Sequence, residues 1–311
     1  MDFFYLILGL AGLWAGTELT IRGAVCVANR VGISEFIVGI VILSIGSDLP
    51  ELAIAIKVAI MNIGNGGASD VVVGSALGSS LGQIGFVLGI AGLMAFLTLP
   101  RKATLQHGAI LLGSIVFLAL FAWDGYVSRV EGFALAIVYG IYLVLVITDA
   151  GSYTEEEECH ETTLPKAIVF LIAGLVIVTI GAELTVDGAI GVATALGVGE
   201  ATVAILIVGL GTSLPELSIS VGAVLKGKHH MSVGNLIGSN IFDTLLPIGV
   251  AAIISGVHFS QPMLYLEVPY LFILTTVVLV FFLHDKVFRK HEAAIILAMY
   301  LGYAAYKIAT I

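Results

Sequence analysis

Two short segments place reactive groups where a membrane-crossing chain should be plain hydrocarbon. They are Ser44-Ile-Gly-Ser-Asp-Leu-Pro-Glu51 and Gly209-Leu-Gly-Thr-Ser-Leu-Pro-Glu216, each inside a long apolar run. Proline removes a backbone donor and clashes with the preceding turn, so each helix is expected to kink or break there. Carbonyls freed by a break are tolerated at membrane depth only where protein or an ion satisfies them. Glu51 and Glu216 stand beside those carbonyls. An ionisable group at mid-membrane is costly to keep and marks a functional site by default.

A second pair of segments completes the inventory. Val73-Gly-Ser-Ala-Leu-Gly-Ser-Ser-Leu-Gly-Gln83 matches Val233-Gly-Asn-Leu-Ile-Gly-Ser-Asn-Ile-Phe-Asp243. Gly74, Gly78 and Gly82 recur every fourth residue, as do Gly234 and Gly238, and small residues on one face let membrane helices approach closely. Ser79 and Gln83 share a helical face, and so do Ser239 and Asp243. Together the segments offer the carboxylates Glu51, Glu216, Asp243 and Asp48 and the amide oxygen of Gln83. They add the hydroxyls of Ser47, Thr212, Ser213, Ser79 and Ser239, and exposed backbone carbonyls. The set is all oxygen, with no His or Cys. Hard cations such as Ca²⁺ take six to eight oxygen ligands, whereas zinc and copper favour nitrogen and sulfur.

The elements that must hold these groups are membrane helices. The chain is 59% hydrophobic and only 11% charged over 311 residues, too apolar for a soluble domain. A net charge of −9 and the absence of a basic arm argue against nucleic acid. Of the two cysteines, Cys26 falls in an apolar run and Cys159 in a polar loop, so no disulfide framework is expected. The first residues lack the basic segment of a signal peptide and read as the start of a span. About ten runs are long enough to cross a bilayer: 3–29, 35–62, 70–98, 104–122, 128–149, 166–195, 200–225, 231–255, 263–283 and 291–310.

The spans fall into two related halves. Residues 16–56 align without gaps onto 181–221 with 19 of 41 positions identical, beyond shared hydrophobicity. Glu18 pairs with Glu183, Glu35 with Glu200 and Glu51 with Glu216. The expected organisation is a first five-helix repeat over 1–150, an acidic loop over 151–165 and a second repeat over 166–311. An odd number of spans per half inverts one copy relative to the other. Inverted repeats with interrupted helices at matching positions point to a transporter with a midplane site. The expected fold class is therefore an all-α membrane protein of about ten transmembrane helices in two inverted five-helix repeats. Basic residues in short loops set the orientation. With the N-terminus outside, ten Lys and Arg lie inside and three outside, Lys57, Arg129 and Lys307. Both termini are thus expected outside a cell membrane and the acidic loop in the cytoplasm.

These paired motifs resemble the α-repeats of the cation/Ca²⁺ exchanger superfamily, especially its microbial sodium/calcium exchanger branch, over nearly the whole chain. The resemblance implies a secondary antiporter that exchanges Na⁺ for Ca²⁺ by alternating access and extrudes Ca²⁺, with the first and sixth spans sliding against the remaining core. It implies Ca²⁺ ligation by Glu51 and Glu216 with carbonyls of Ser47 and Thr212. Flanking Na⁺ roles fall on Ser44, Ser47, Asp48 and Ser79, with a mirror set of Gly209, Thr212, Ser213 and Ser239. Gln83 and Asp243 line the middle position. The ions and the lipid bilayer are the only partners it implies. No enzyme activity, organic cofactor or obligate protein partner is expected.

The sequence departs from that family pattern at three positions. Asp48 stands where serine is usual, Ser44 where alanine is usual and Gln83 where asparagine is usual. The added carboxylate keeps a divalent cation/H⁺ antiporter as the alternative. An intramembrane aspartyl protease would use two aspartates in one site, but Asp48 and Asp243 leave the mirrored glutamates unexplained. A passive cation channel is disfavoured by the inverted repeats. Several polar residues have structural readings. Glu35 and Glu200 begin spans and suit helix N-termini. Glu18 and Arg22, four apart, can pair. Glu183 and Asp187 read as structural or vestibule residues. His229-His230, Cys159-His160 and Glu155–Glu158 read as solvated loop residues.

Asp48 yields the first testable expectation. Like charges crowded in a poorly hydrated site oppose one another's ionisation, and the mirror position holds the neutral Ser213. Protons should compete with Na⁺ or Ca²⁺ at that flank. Asp48→Ser should flatten the pH profile of exchange, measured over roughly pH 5.5–8.5, without abolishing Ca²⁺ binding. Superimposable profiles and equal Na⁺ dependence would make Asp48 a bystander.

Overall fold

Thirty residues without a proline form the first helix, α1 (Asp2–Val31). Its partner is α8 (Leu164–Ala195), laid antiparallel along it. Glycines recur every seventh residue, two helical turns, on both faces: Gly9, Gly16 and Gly23 against Gly174, Gly181 and Gly188. A side chain at Gly16 would meet the Val178 nitrogen at 2.7 Å, and one at Gly181 would meet the Leu13 nitrogen at 2.7 Å. The two backbones therefore touch, and α1 and α8 form one tightly joined pair. A computed structural model describes residues 2–63, 70–148, 163–195, 211–285 and 287–310. Gly209, Glu200, Cys159, His160 and Glu155–Glu158 lie outside the described residues.

The second span runs through α2 (Glu35–Ile37), a π-helical stretch over Val38–Leu43, and α3 (Ser44–Met61). The Ser34 hydroxyl caps its start by accepting from the Ile37 nitrogen at 3.2 Å. Glu35 occupies the first turn, where the helix dipole favours a carboxylate, and meets Lys228 at 3.0 Å. The expected break at Pro50 does not occur, because α3 continues through it. Pro50 forfeits only the bond to the carbonyl one turn back, and packing along a neighbouring helix keeps both parts in line. The irregularity lies just before the motif, in the π-helical stretch, a distortion common at functional sites.

In the second repeat the break is present. The chain turns at Thr212–Ser213 and α9 (Leu214–Leu225) begins with Pro215 in its first turn, where a missing N–H costs nothing. Facing both motifs are α4 (Asp70–Leu81), continued by a π-helical stretch over Gly82–Val87 into α5 (Leu88–Met94), and α10 (His229–Ser255). These are the most enclosed spans. Their most apolar windows are 72% and 78% buried, against 17% for the last helix, so the polar motifs sit at the protein's centre and away from lipid. A Cβ at Gly234 would strike the Phe36 carbonyl oxygen at 2.5 Å, and one at Gly238 would strike that of Ile40. Glycine there lets α10 approach the π-helical stretch.

The remaining spans are α6 (Arg101–Phe121), α7 (Arg129–Thr148), a π-helical turn over Met263–Glu267 leading into α11 (Val268–Asp285), and α12 (Lys290–Thr310). Two ladders of two residues join the halves. β1 (Leu97–Thr98) pairs with β4 (Val287–Phe288), and β2 (Tyr126–Val127) with β3 (Val257–His258), both antiparallel. They lie at opposite ends of α6, as an inverted repeat requires.

Among the described residues, nine helical spans are long and apolar enough to cross a membrane, and α9 adds a shorter apolar helix within the expected seventh span. This is the all-helical membrane architecture of two inverted five-span halves. Large apolar side chains such as Trp14, Trp123 and Val130 face outward, as they do in lipid. Cys26 is disulfide-bonded, against the expectation from one cysteine in an apolar run and one in a polar loop. Glu18 pairs with Lys226 at 2.6 Å, while Arg22 lies over the Phe170 ring.

Candidate cation-binding site

The two proline motifs meet at the centre of the helical core, against α10 and the π-helical stretch after α4. Ser44, Ser47, Asp48, Glu51, Ser79, Gln83, Ser213, Glu216, Ser239 and Asp243 are all buried, and Thr212 is half-buried. Gly209 lies outside the described residues. Asp48 lies within electrostatic reach of Asp243, Glu216 and Glu51. None of the ion pairs among the described residues involves these four, and those of Lys226, Lys228 and Lys307 lie elsewhere.

The hydrogen bonds leave a definite remainder. The Ser44 hydroxyl donates to the Ile40 carbonyl at 2.7 Å, inside the π-helical stretch. That of Ser47 reaches the Ser44 carbonyl at 3.3 Å and Asp48 Oδ1 at 3.5 Å. Five buried carboxylate oxygens then accept no hydrogen bond of good geometry, although Glu216 lies close to Asp48 and Ser47: Asp48 Oδ2, Glu51 Oε2, both oxygens of Glu216, and Asp243 Oδ1. The hydroxyls of Ser213 and Ser239 are also unpartnered. Each buried polar group left unsatisfied costs about 1–3 kcal/mol, more when charged. Oxygens from both halves thus share one unmet need for positive charge. No three His, Cys, Asp or Glu side chains among the described residues converge closely enough to hold a metal by themselves. A cation held here would need hydroxyl and backbone oxygens beside the carboxylates, as a site for a hard ion does.

Gln83 sits differently from the reading of its amide oxygen as a ligand. The Asn240 amide nitrogen donates to the Leu236 carbonyl at 2.9 Å, which fixes that amide's polarity. The same nitrogen donates to Gln83 Oε1 at 2.9 Å. Gln83 therefore turns its nitrogen toward the site and donates to Asp243 Oδ2 at 3.1 Å and to the Ser79 hydroxyl at 3.0 Å. The bond to Asp243 occupies Oδ2 and leaves Oδ1 without a hydrogen-bond partner. Asn240 was not among the expected site residues. Its signal was an amide within an apolar helix, one residue from Ser239.

Access differs between the motifs. A cavity of about 320 Å³ reaches Glu51 and Thr212 from between α3 and α8. Glycine at position 82 leaves room for the Ser213 hydroxyl, which lies 3.0 Å from where a Cβ would stand. The second motif therefore seats directly on the first repeat's π-helical stretch.

Comparison with known proteins identifies the family and supports the fold. Residues 1–148 and 166–309 match the family model described as sodium/calcium exchanger protein. An uncharacterized membrane protein of Methanocaldococcus jannaschii, MJ0091, is 30% identical over 298 residues, covering 96% of this chain and 95% of its own. The sodium/calcium exchanger MaX1 of Methanosarcina acetivorans is 24% identical with 97% of each chain covered. A solved structure of the sodium-calcium exchanger NCX_Mj, soaked with zero Na⁺ and Ca²⁺, superposes with a TM-score of 0.84 at 27% identity, covering 98% of each chain.

The Asn240–Gln83–Asp243 chain generates a prediction. Removing a group that orients a metal ligand typically costs about 10–100-fold in affinity. Asn240→Ala should weaken Ca²⁺ binding by about tenfold or more, read by titration calorimetry on folded protein. Unchanged affinity would contradict the positioning role.

Proposed function

The chain belongs to the sodium/calcium exchanger protein family, and we propose that it exchanges Na⁺ for Ca²⁺, using the Na⁺ gradient to expel Ca²⁺. It is a multi-pass membrane antiporter. The observation that carries the finer reading is the set of five carboxylate oxygens that accept no hydrogen bond of good geometry, drawn from both repeats and buried without a basic partner among the described residues. In the proposed mechanism Glu51 and Glu216 are the shared ligands, supported by oxygens of Ser47 and Thr212. Flanking Na⁺ positions use Ser44, Ser47, Asp48 and Ser79 on one side and Gly209, Thr212, Ser213 and Ser239 on the other, with Asp243, held by Gln83, at the middle position.

Coupling follows from competition. Ca²⁺ and Na⁺ draw on the same carboxylates and cannot occupy them together, so each ion leaves when the other arrives. Alternating access then needs one moving part. The joined pair α1 and α8 is that part, sliding against the core that carries the site. No organic cofactor is required. The repeat boundaries proposed are 1–150 and 166–311, with the acidic loop between them cytoplasmic and both termini outside, supported by the bias of basic residues. A divalent cation/H⁺ antiporter is the second reading, favoured by one observation: Asp48 is a buried carboxyl whose repeat counterpart is Ser213.

Right-side-out vesicles loaded with Ca²⁺ test both readings. An inward Na⁺ gradient should drive Ca²⁺ efflux, and a pH gradient without Na⁺ should not. Glu51→Gln and Glu216→Gln should each reduce efflux to background while the protein stays folded, because each removes a charge that carbonyls cannot replace. Efflux driven by pH alone would establish the second reading, and wild-type flux in either variant would sink the ligand assignment. In the same vesicles, Cys159 of a Cys26→Ser variant should resist a membrane-impermeant thiol reagent. Labelling would reverse the orientation.

A further inference from the structure

The halves match at their motifs and differ at their mouths. An offset of 165 positions, from Glu51 to Glu216, relates α1 to α8 and α3 to α9. The junction of α1 with α9 is closed. The hydroxyls of Thr17 and Ser218 lie 2.6 Å apart, and that of Ser218 donates to the Leu13 carbonyl at 3.3 Å. Lys226 Nζ donates to Glu18 at 2.6 Å. The corresponding junction of α8 with α3 has Ala182 for Thr17, Ala53 for Ser218 and Met61 for Lys226. Those side chains cannot make the same bonds. The cavity of about 320 Å³ opens there.

Charge differs as well. Glu183 keeps the acid found at Glu18 but has Met61 where Glu18 has its lysine. Asp187 stands where the other half has Arg22, so the sign is reversed at that position. Both acids line the cavity, both are exposed, and their spacing of four puts them on one face of α8. At the buried end the same cavity is lined by Glu51, 5% exposed, whose Oε2 has no partner.

We propose that Glu183 and Asp187 form a recruitment site for hydrated divalent cations at the mouth of the path that ends on Glu51. The inference rests on Glu51 being a cation ligand. A recess of one charge sign with low-dielectric walls concentrates counter-ions and raises their arrival rate. The two acids act before dehydration and hold the ion loosely. The tightly coordinating oxygens lie deeper. The opposite junction, bridged by the Glu18–Lys226 pair, has Arg22 in place of the second acid.

The test uses right-side-out vesicles loaded with Na⁺ and taking up Ca²⁺ from a choline medium, so that ionic strength varies without competing Na⁺. The double variant Glu183→Gln, Asp187→Asn should raise KM for Ca²⁺ by about threefold to tenfold at low ionic strength, with the maximal rate unchanged. The difference should shrink at roughly 0.5 M choline chloride, where the Debye length is a few ångströms. The charge-keeping double variant Glu183→Asp, Asp187→Glu should restore the wild-type KM. An unchanged KM at low ionic strength overturns the proposal while leaving the exchanger reading intact. So does a fall in maximal rate at unchanged KM, the mark of a structural role. Absence of Na⁺-driven uptake in the wild type overturns the exchanger reading and the recruitment site with it.

Discussion

Four carboxylates, Asp48 and the three within its electrostatic reach, buried without a basic partner among the described residues, are the constraint on which this structure depends. A fold that only needed stability would pair such groups or omit them, because an uncompensated buried charge is among the costliest features a protein can carry. Here the local hydrogen bonds satisfy some oxygens and leave five. The surrounding design follows from that remainder. The proline motifs face the two most enclosed spans among the described residues, away from lipid. Glycines at 234 and 238 bring α10 against the π-helical stretch before Ser44. The amide of Gln83 is spent on orienting Asp243, with Asn240 fixing its direction.

In the proposed mechanism the elements that hold ions are separate from the pair that moves. The core built from α3, α4 with its π-helical continuation, α9 with the turn before it, and α10 carries every described site residue. The pair α1 and α8 carries none of them, yet α8 walls the cavity that reaches Glu51. Six glycines at seven-residue intervals join this pair backbone to backbone. That geometry suits a rigid body shifting as a unit. Its contacts with the core differ in strength at the two ends: polar bonds at Thr17, Glu18 and Ser218, and an open recess at Glu183 and Asp187. Two copies of one sequence plan thus give unequal mouths through substitutions at a few positions.

Much of this is legible in the sequence because membrane burial makes polar residues conspicuous. Glu51, Glu216, Asp48 and Asp243 stand out against an apolar background, and the repeat assigns each a counterpart. The fold class follows from span lengths and the odd number of spans per half. Less legible are features set by tertiary packing. Pro50 predicts a break, but one lost hydrogen bond does not interrupt a helix held along α10, and the distortion appears upstream in the backbone pattern. Gln83 offers an oxygen and a nitrogen at equal cost, and only the anchor of Asn240 on the Leu236 carbonyl decides which faces the site. Glu18 has Arg22 at pairing distance along its own helix, yet Lys226 from across the junction takes it. The two-residue ladders are too short to leave a strand signal.

The central claim is that Ca²⁺ and Na⁺ compete for one set of oxygens. Equilibrium Ca²⁺ binding to the purified protein at increasing Na⁺, with ionic strength held constant by choline, tests it most directly. The account predicts that Na⁺ progressively weakens apparent Ca²⁺ affinity while the number of Ca²⁺ bound at saturation stays the same, and that Glu216→Gln removes both the binding and its Na⁺ sensitivity. Ca²⁺ binding indifferent to Na⁺ at constant ionic strength would contradict it.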